Sequence, residues 1–113
     1  MRVRNSPRET EQAIALRREY HRVIRAVCDE QGIGPRALWL GALTAGVRGV
    51  SEASFRNYTC GRSLPRTYDA HYALRDALFE RSAWDHQRIV AAKAVFDDIY
   101  HQYRAFVSEN YYV

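Results

Sequence analysis

Apolar residues recur at helical spacing along most of the chain. Near the N-terminus they follow steps of three and four, at Ala13, Leu16, Tyr20, Val23 and Val27. A second stripe of the same kind occupies the C-terminal third, at Ile89, Ala92, Phe96, Ile99, Tyr103 and Phe106. Such steps place side chains on one face of a helix, and no segment alternates as a half-buried strand does. The pattern predicts an all-α fold.

Capping residues and helix breakers divide this pattern into segments. Ser6, Pro7 and Glu9 form a capping box with proline at the first helical position, where its missing N–H costs nothing. The helix that starts there is expected to end near Gly32. Four further helices are predicted, the last of them capped by Ser82, over residues 35–45, 52–60, 67–81 and 83–109.

The third predicted helix is short and has two unlike faces. Ser51 is suited to cap its first turn, and Gly61 is suited to the left-handed conformation that ends a helix. At 100° per residue, Phe55 and Tyr58 share one face. The opposite face carries Ala53, Arg56, Asn57 and Cys60. Arginine pairs with guanine, asparagine with adenine, and alanine contacts the thymine methyl group, so this face suits the edges of bases in a major groove.

Positive charge is concentrated in the first part of the chain. Residues 1–66 contain twelve Arg against six acidic residues, whereas residues 67–113 carry five basic and seven acidic residues. Residues 33–66 contain a single acid, Glu52. Their five arginines are Arg36, Arg48, Arg56, Arg62 and Arg66. A local excess of positive charge favours phosphate binding and therefore indicates a nucleic-acid partner.

The length of the chain and the motifs that it lacks exclude several classes of protein. With 113 residues the chain forms one domain, 1–113. No apolar run has the length of a membrane span, and the first residues lack the apolar core of a signal peptide, which favours a cytoplasmic protein. Two cysteines, Cys28 and Cys60, indicate neither a disulfide framework nor a metal site. Since no Gly-rich phosphate loop, HExxH or GxSxG motif occurs, we expect no enzyme and no cofactor.

The order of the elements resembles that of the lambda-repressor-like helix-turn-helix family, the Cro- and XRE-type DNA-binding domains. GIGPRALW is similar to that family's approach to its second helix, VSEASFRNYTCGRSLP to its recognition helix and following loop, and YALRDALFE to its next core helix. The resemblance covers residues 20–80. It implies a helix-turn-helix core of about four helices, flanked by an N-terminal helical extension at residues 7–19 and a long C-terminal helix at residues 83–110.

The resemblance also implies roles for individual residues. Ser51 would cap the recognition helix and touch a phosphate. The bases would be read by Glu52, Ala53, Arg56 and Asn57. The phosphate-contacting loop would use Arg62 and Ser63, and the excess of positive charge adds Arg36, Arg48 and Arg66 as phosphate ligands.

Two features depart from the family pattern. The link between the second and third helices, which contains GVRG, is about three residues longer than the family's tight turn, and this affects the angle between the helices. Glu52 stands where glutamine is common. A carboxylate is unfavourable beside phosphates unless it accepts from a cytosine amine or pairs with a neighbouring arginine.

The two flanking stripes leave two alternatives open. They pack on each other inside one chain, or at least one of them forms a two-fold seam between two copies. The seam candidates are Phe96, Ile99, Tyr103 and Phe106. A homodimer suits the DNA interpretation, because paired recognition helices one turn of DNA apart increase affinity and specificity.

The polar residues of the flanking helices have simpler interpretations. A solvated, salt-bridged face is expected to contain Arg17, Arg18, Arg22 and Arg25, with an extra contact to the DNA backbone as the alternative. The four histidines are scattered, and we expect surface or partly buried imidazoles.

These features together predict a homodimeric transcriptional repressor of bacterial or phage origin that reads double-stranded DNA with residues 52–60. The alternative is a protein-interaction module on the same scaffold, an inhibitor or antitoxin of a phage or mobile element that binds a protein partner. Changes at Arg56 or Asn57 would abolish the sequence preference of a DNA reader. An inhibitor would instead be impaired by changes at Tyr103, Phe106 or Tyr111.

Overall fold

The computed structural model of the protein describes residues 11–46, 50–80 and 82–111, with side chains as far as Ser108. These residues form five helices and no strand, which confirms the all-α prediction. The helices are α1 (Glu11–Gln31), α2 (Pro35–Thr44), α3 (Glu52–Thr59), α4 (Tyr68–Glu80) and α5 (His86–Tyr111). The predicted capping box at residues 6–9 lies outside the described residues. None of the described helices is both long and apolar enough to cross a membrane.

The start of α5 differs from the prediction. The carboxylate of Asp85 accepts from the backbone N–H of Arg88 at 2.9 Å, so Asp85 caps this helix. The hydroxyl of Ser82 instead donates to the carbonyl of Phe79 at the end of α4. The prediction of Ser82 as the cap was wrong. Its hydroxyl bonds to a carbonyl in the last turn of α4, and the carboxylate of Asp85 caps α5.

The two long helices, α1 and α5, pack on each other inside the single chain. The ring of Tyr20 stacks on that of Phe96 with 4.2 Å between centroids. Phe96 and Ile99 are buried in this core. They were predicted as dimer-seam residues; within one copy their side chains pack in the core, as the alternative of packing inside one chain expects. Tyr103 and Phe106, further along α5, are partly buried, and their role in a seam stays a prediction.

The shorter helices pack around α2, which contacts both α3 and α4. Leu38 and Ala42 are its buried residues, whereas Leu43 is 42% exposed. Leu38 and Ala42 are four residues apart and therefore share the inner face of α2. Leu43 follows Ala42 directly and therefore lies on a different face. The indole Nε1 of Trp39 donates to the carbonyl of Val50 at 2.9 Å and so fixes the entry to α3.

A polar network lies inside the contact between α1, α4 and α5. The hydroxyl of Tyr20 is 2.8 Å from Nδ1 of His71, and Nε2 of His71 is 2.7 Å from Oδ1 of Asp97. Arg75 donates to the other carboxylate oxygen of Asp97, also at 2.7 Å. A carboxylate only accepts, so His71 donates from Nε2, and its Nδ1 accepts a hydrogen bond from the Tyr20 hydroxyl. The expectation of surface or partly buried imidazoles was wrong for His71, which is fully buried.

Burial controls the protonation of this network. It raises the pKa of the Tyr20 hydroxyl well above its usual value, so that this group remains a donor. It also lowers the pKa of His71, because the charged imidazolium would lose its hydration; the hydrogen bond that His71 donates to Asp97 acts in the opposite direction and is the smaller effect. His71 is therefore the neutral centre of a satisfied hydrogen-bond chain.

We expect Tyr20→Phe to reduce the free energy of unfolding by about 1–3 kcal/mol, because it leaves the buried Nδ1 of His71 without a donor. The matched control is Tyr68→Phe, which removes a bond of the same kind, to Nδ1 of His101 at 2.9 Å, from an exposed position. Water replaces that bond, and the control should change stability by less than about 0.5 kcal/mol. Urea unfolding of both variants measures the difference; equal losses would contradict the role of the buried network.

The lowered pKa of His71 predicts a pH dependence of stability. The unfolded chain binds the proton more readily than the folded chain, so stability is fully present above the ordinary imidazole value of 6.5. It should fall as the pH drops below that value, by up to about 1.4 kcal/mol per pH unit, and level off below the folded pKa. Urea unfolding at several pH values tests this, and His71→Gln should remove most of the slope. A slope that persists unchanged in His71→Gln would assign it to other groups.

Candidate nucleic-acid interface

Helix α3 has the capping and the two faces that its sequence predicts. The hydroxyl of Ser51 accepts from the backbone N–H of Ser54 at 3.1 Å, as an N-cap does. Phe55 and Tyr58 are buried, with 5.6 Å between their ring centroids. The opposite face consists of the exposed side chains of Ala53, Arg56 and Cys60 and the partly exposed Asn57. The helix therefore presents the predicted combination of arginine, asparagine and alanine outward.

A Schellman motif ends α3 and turns the chain. Gly61 has a φ of 83°, in the left-handed region, and its N–H donates to the carbonyl of Tyr58 at 3.3 Å. The N–H of Arg62 donates to the carbonyl of Asn57 at 2.9 Å, which completes the pair of bonds typical of this motif. Nε2 of His21, on α1, lies 2.6 Å from the carbonyl of Thr59 and donates to it. The C-terminal end of α3 is thus held both by its own turn and by α1.

The loop that follows α3 is fastened through its carbonyl groups. Tyr100 donates its hydroxyl proton to the carbonyl of Pro65 at 2.7 Å, in a buried position. Arg104, also on α5, donates to the carbonyl of Arg66 at 2.5 Å, and Arg17 on α1 donates to that of Arg62 at 3.3 Å. The side chains of Arg62 and Arg66 are left on the exposed side of the loop. The two flanking helices therefore fix the loop and direct its positive charges outward.

Glu52 forms an ion cluster at the start of α3. One of its carboxylate oxygens accepts from Arg36, on α2, at 3.0 Å, and the other accepts from Arg56 at 3.3 Å. Pairing with a neighbouring arginine is one of the two conditions under which a carboxylate is tolerated beside phosphates. The two guanidinium groups are 68% and 62% exposed and thus keep access to solvent. Glu52 orients both arginines while it neutralises one of their charges.

Most of the predicted DNA-binding residues lie on one continuous surface. The ion cluster joins Arg36 to the base-reading face of α3, and the Asn57 carbonyl, which accepts from Arg62 and Ser63, joins that face to the following loop. Arg48 lies outside the described residues. The members of this surface are Arg36, Ser51, Glu52, Ala53, Arg56, Asn57, Arg62, Ser63 and Arg66. We call this surface the α3 face.

Sequence reasoning missed two arginines that border the α3 face. Arg17 was expected on a solvated, salt-bridged helix surface, and Arg104 was assigned no role. Two other arginines of α1 do form such a surface, since Arg22 pairs with Glu19 and Arg25 with Asp29. Arg17 instead reaches the loop, 45 residues away in sequence. No signal in the sequence marks such a contact, because it depends on how α1 packs in three dimensions.

In the part of the chain that the structure describes, no three His, Cys, Asp or Glu side chains lie close enough together to hold a metal ion. The thiol of Cys28 is buried in the core, and that of Cys60 is exposed at the end of α3. The groups that the α3 face offers to a ligand are guanidinium, amide and hydroxyl groups and the carboxylate of Glu52. They are suited to hydrogen bonding and charge pairing.

Comparison with protein-family models, curated proteins and solved structures finds no match for this chain.

We expect Gly61→Ala to destabilise the end of α3, by roughly 1–3 kcal/mol, because of its left-handed φ. A Cβ there would also lie 3.1 Å from the ring of His21. Gly32→Ala is the matched control: Gly32 ends α1 with a φ of 68°, and nothing lies within 4 Å of its Cβ position. Thermal unfolding should therefore show the larger loss for Gly61→Ala. A loss no larger than that of Gly32→Ala would contradict the close packing of His21 on this turn.

Proposed function

We propose that this protein is a sequence-specific DNA-binding regulator, a cytoplasmic repressor that acts without a cofactor and without chemistry. In this proposal α3 enters the major groove of double-stranded DNA, and occupancy of the operator excludes the polymerase. The observation that carries the proposal is the outward face of α3. Ala53, Arg56 and Asn57 offer there the groups that distinguish thymine, guanine and adenine.

The packing of the neighbouring helices supports this role for α3. In this proposal α2 and α3 are the two helices of a helix-turn-helix unit. Of these, α2 also packs against α4. Phe55 and Tyr58 anchor α3 in the core. An anchored helix positions its outer side chains with little loss of conformational entropy on binding, and preorganisation of this kind favours affinity.

Phosphate contacts would flank the helix on both sides. Arg36, Arg48 and Ser51 would bind one strand near the start of α3, and Arg62, Ser63 and Arg66 would bind near its end. The bonds that hold the loop carbonyls of Pro65 and Arg66 support this arrangement, because they keep the loop arginines on its exposed side. Contacts of this type supply affinity and position, whereas the base contacts supply the sequence preference.

Glu52 would act in one of two ways at the interface. It would accept a hydrogen bond from a cytosine amine, or it would hold Arg36 and Arg56 in place while these bind DNA. The observed ion cluster supports the second role. On binding, Arg36 would exchange the carboxylate of Glu52 for a phosphate, and Arg56 would exchange it for a guanine.

A homodimer would complete the proposed regulator. Two copies of α3 would read half-sites of a pseudo-palindromic operator, about 34 Å apart along the DNA. With Phe96 and Ile99 inside the core, Tyr103 and Phe106 are the remaining seam candidates on α5.

The decisive experiment is a titration of labelled DNA from upstream of the gene with the purified protein. It is done at two salt concentrations and with unrelated competitor DNA. The proposal expects saturable binding that survives the competitor and weakens steeply with salt. Footprinting then gives the half-site spacing. Binding that is absent, or indifferent to sequence, would rule the proposal out.

Arginine variants separate the two kinds of contact. Arg56→Ala should cost about 1–3 kcal/mol at the cognate site and relax the preference at one base pair. Arg62→Ala should weaken binding to all sequences and lower the slope of log affinity against log salt by about one unit. Arg22→Ala is the control, since Arg22 pairs with Glu19 on α1. Unchanged specific binding by Arg56→Ala would show that another face reads the bases.

A second candidate function is that of a protein-interaction module, an inhibitor or antitoxin. The observation that favours it lies on α5, where Val90 and Val95 are 52% and 54% exposed. Large exposed apolar side chains are the kind of group that a protein partner would cover. The DNA titration separates the two candidates, because the module would bind no operator and would tolerate Arg56→Ala.

A further inference from the structure

A groove runs between the C-terminal half of α3, the loop that follows it and the C-terminal half of α5. Its volume is about 880 Å³. Asn57, Ser63 and Arg66 line it, so it borders the α3 face. The opposite wall is formed by Tyr103, Arg104 and Val107 on α5, and Arg17 of α1 closes one side. We call this space the arginine groove.

Among the residues that the structure describes, the charges that line the arginine groove have one sign. Arg17, Arg66 and Arg104 come from three separate elements, and the described lining contains no Asp or Glu. On the α3 face, by contrast, Glu52 neutralises part of the positive charge. Three arginine side chains that line one concave site attract an anion more strongly than the same side chains spread over a flat surface. The ligand that fits this groove is therefore anionic.

Two of these arginines are held in place before any ligand binds. Arg104 donates to the carbonyl of Arg66, and Arg17 donates to that of Arg62. A guanidinium carries five N–H donors, so the bond to the Arg66 carbonyl uses one of those of Arg104. The forked geometry of arginine matches the oxygens of a phosphate group. Held side chains also lose less entropy when the anion arrives.

The remaining lining residues fit the rest of a phosphate ester. Ser63 and Thr67 supply hydroxyl groups and Asn57 supplies an amide. Apolar surface comes from Tyr58, Leu64, Pro65, Tyr103 and Val107. Hydroxyls and amides bind phosphate oxygens, and an apolar wall accommodates the carbon skeleton of an attached sugar.

We propose that the arginine groove binds a phosphate group through Arg17, Arg66 and Arg104. In the DNA complex of the proposed function, on which this assignment of the source rests, the phosphate belongs to the backbone beside the C-terminal end of α3. The flanking helices α1 and α5 then contribute directly to DNA affinity. The groove has the same chemistry toward a free phosphate ester.

The first test measures the groove without DNA. Pyrophosphate is added to the protein at constant ionic strength, and the arginine Nε–H and loop amide signals are followed by NMR. We expect saturable shifts at Arg17, Ser63, Arg66 and Arg104. Arg104→Gln and Arg66→Gln should each weaken the affinity by about tenfold, the loss of one charge-assisted contact, and Arg104→Lys should retain most of it.

Two features of the design separate binding from folding. Arg66 supports the loop through its carbonyl, which Arg66→Gln preserves. Arg88→Gln is the matched control, because Arg88 lies at the other end of α5, over the ring of Trp84. It should leave pyrophosphate binding unchanged. If no saturable shift occurs in millimolar pyrophosphate, or if all four variants bind it equally, the proposal is overturned.

The second test identifies the source of the phosphate. If it belongs to DNA, Arg104→Gln lowers the slope of log affinity against log salt by about one unit, and Arg104→Lys restores it. An unchanged slope together with weakened pyrophosphate binding assigns the groove to a free phosphate ester. If the unaltered protein does not bind DNA, the proposed function is wrong. The pyrophosphate titration then still decides whether the groove binds a phosphate group.

Discussion

The hydrogen-bond chain from Tyr20 through His71 to Asp97 is the constraint on which the rest of the structure depends. It joins α1, α4 and α5, and each of its members must find its partner because an unsatisfied polar group in a core costs about 1–3 kcal/mol. Apolar packing alone would allow two long helices to slide or rotate against each other. Buried hydrogen bonds need correct distances and angles, and so they select one arrangement of α5 against α1.

This arrangement reaches the α3 face through Tyr100. Its ring stacks on the imidazole of His71, with centroids 4.3 Å apart and planes inclined by 4°, while its hydroxyl binds the carbonyl of Pro65. One turn further along α5, Arg104 holds the next carbonyl of the loop. The position of the loop after α3 is thus determined by the core network. The α3 face is therefore preorganised by helices outside the short α3 itself.

The α3 face combines fixed and exchangeable interactions. The buried residues of α3, its N-cap and its Schellman motif need no ligand and keep their geometry when one binds. The ion pairs of Glu52 are exposed at the guanidinium ends, and exposed ion pairs contribute only about 0–1 kcal/mol. A phosphate or a base would therefore displace the carboxylate at small cost. This difference makes the α3 face rigid in its backbone and adaptable in its charged side chains.

The sequence by itself determined the helices and the two faces of α3, because these depend on local rules. Steps of three and four residues predicted α1 and α5, and Ser51 and Gly61 predicted the two ends of α3. Only the tertiary structure decided that Phe96 fills the core, that His71 is buried, and that Arg17 and Arg104 reach the loop. Arg17 and Arg104 contact residues that are 45 and 38 positions away in sequence, and His71 contacts Tyr20 at a separation of 51. Helical periodicity identifies an apolar face, but the residue that meets it depends on how the helices pack.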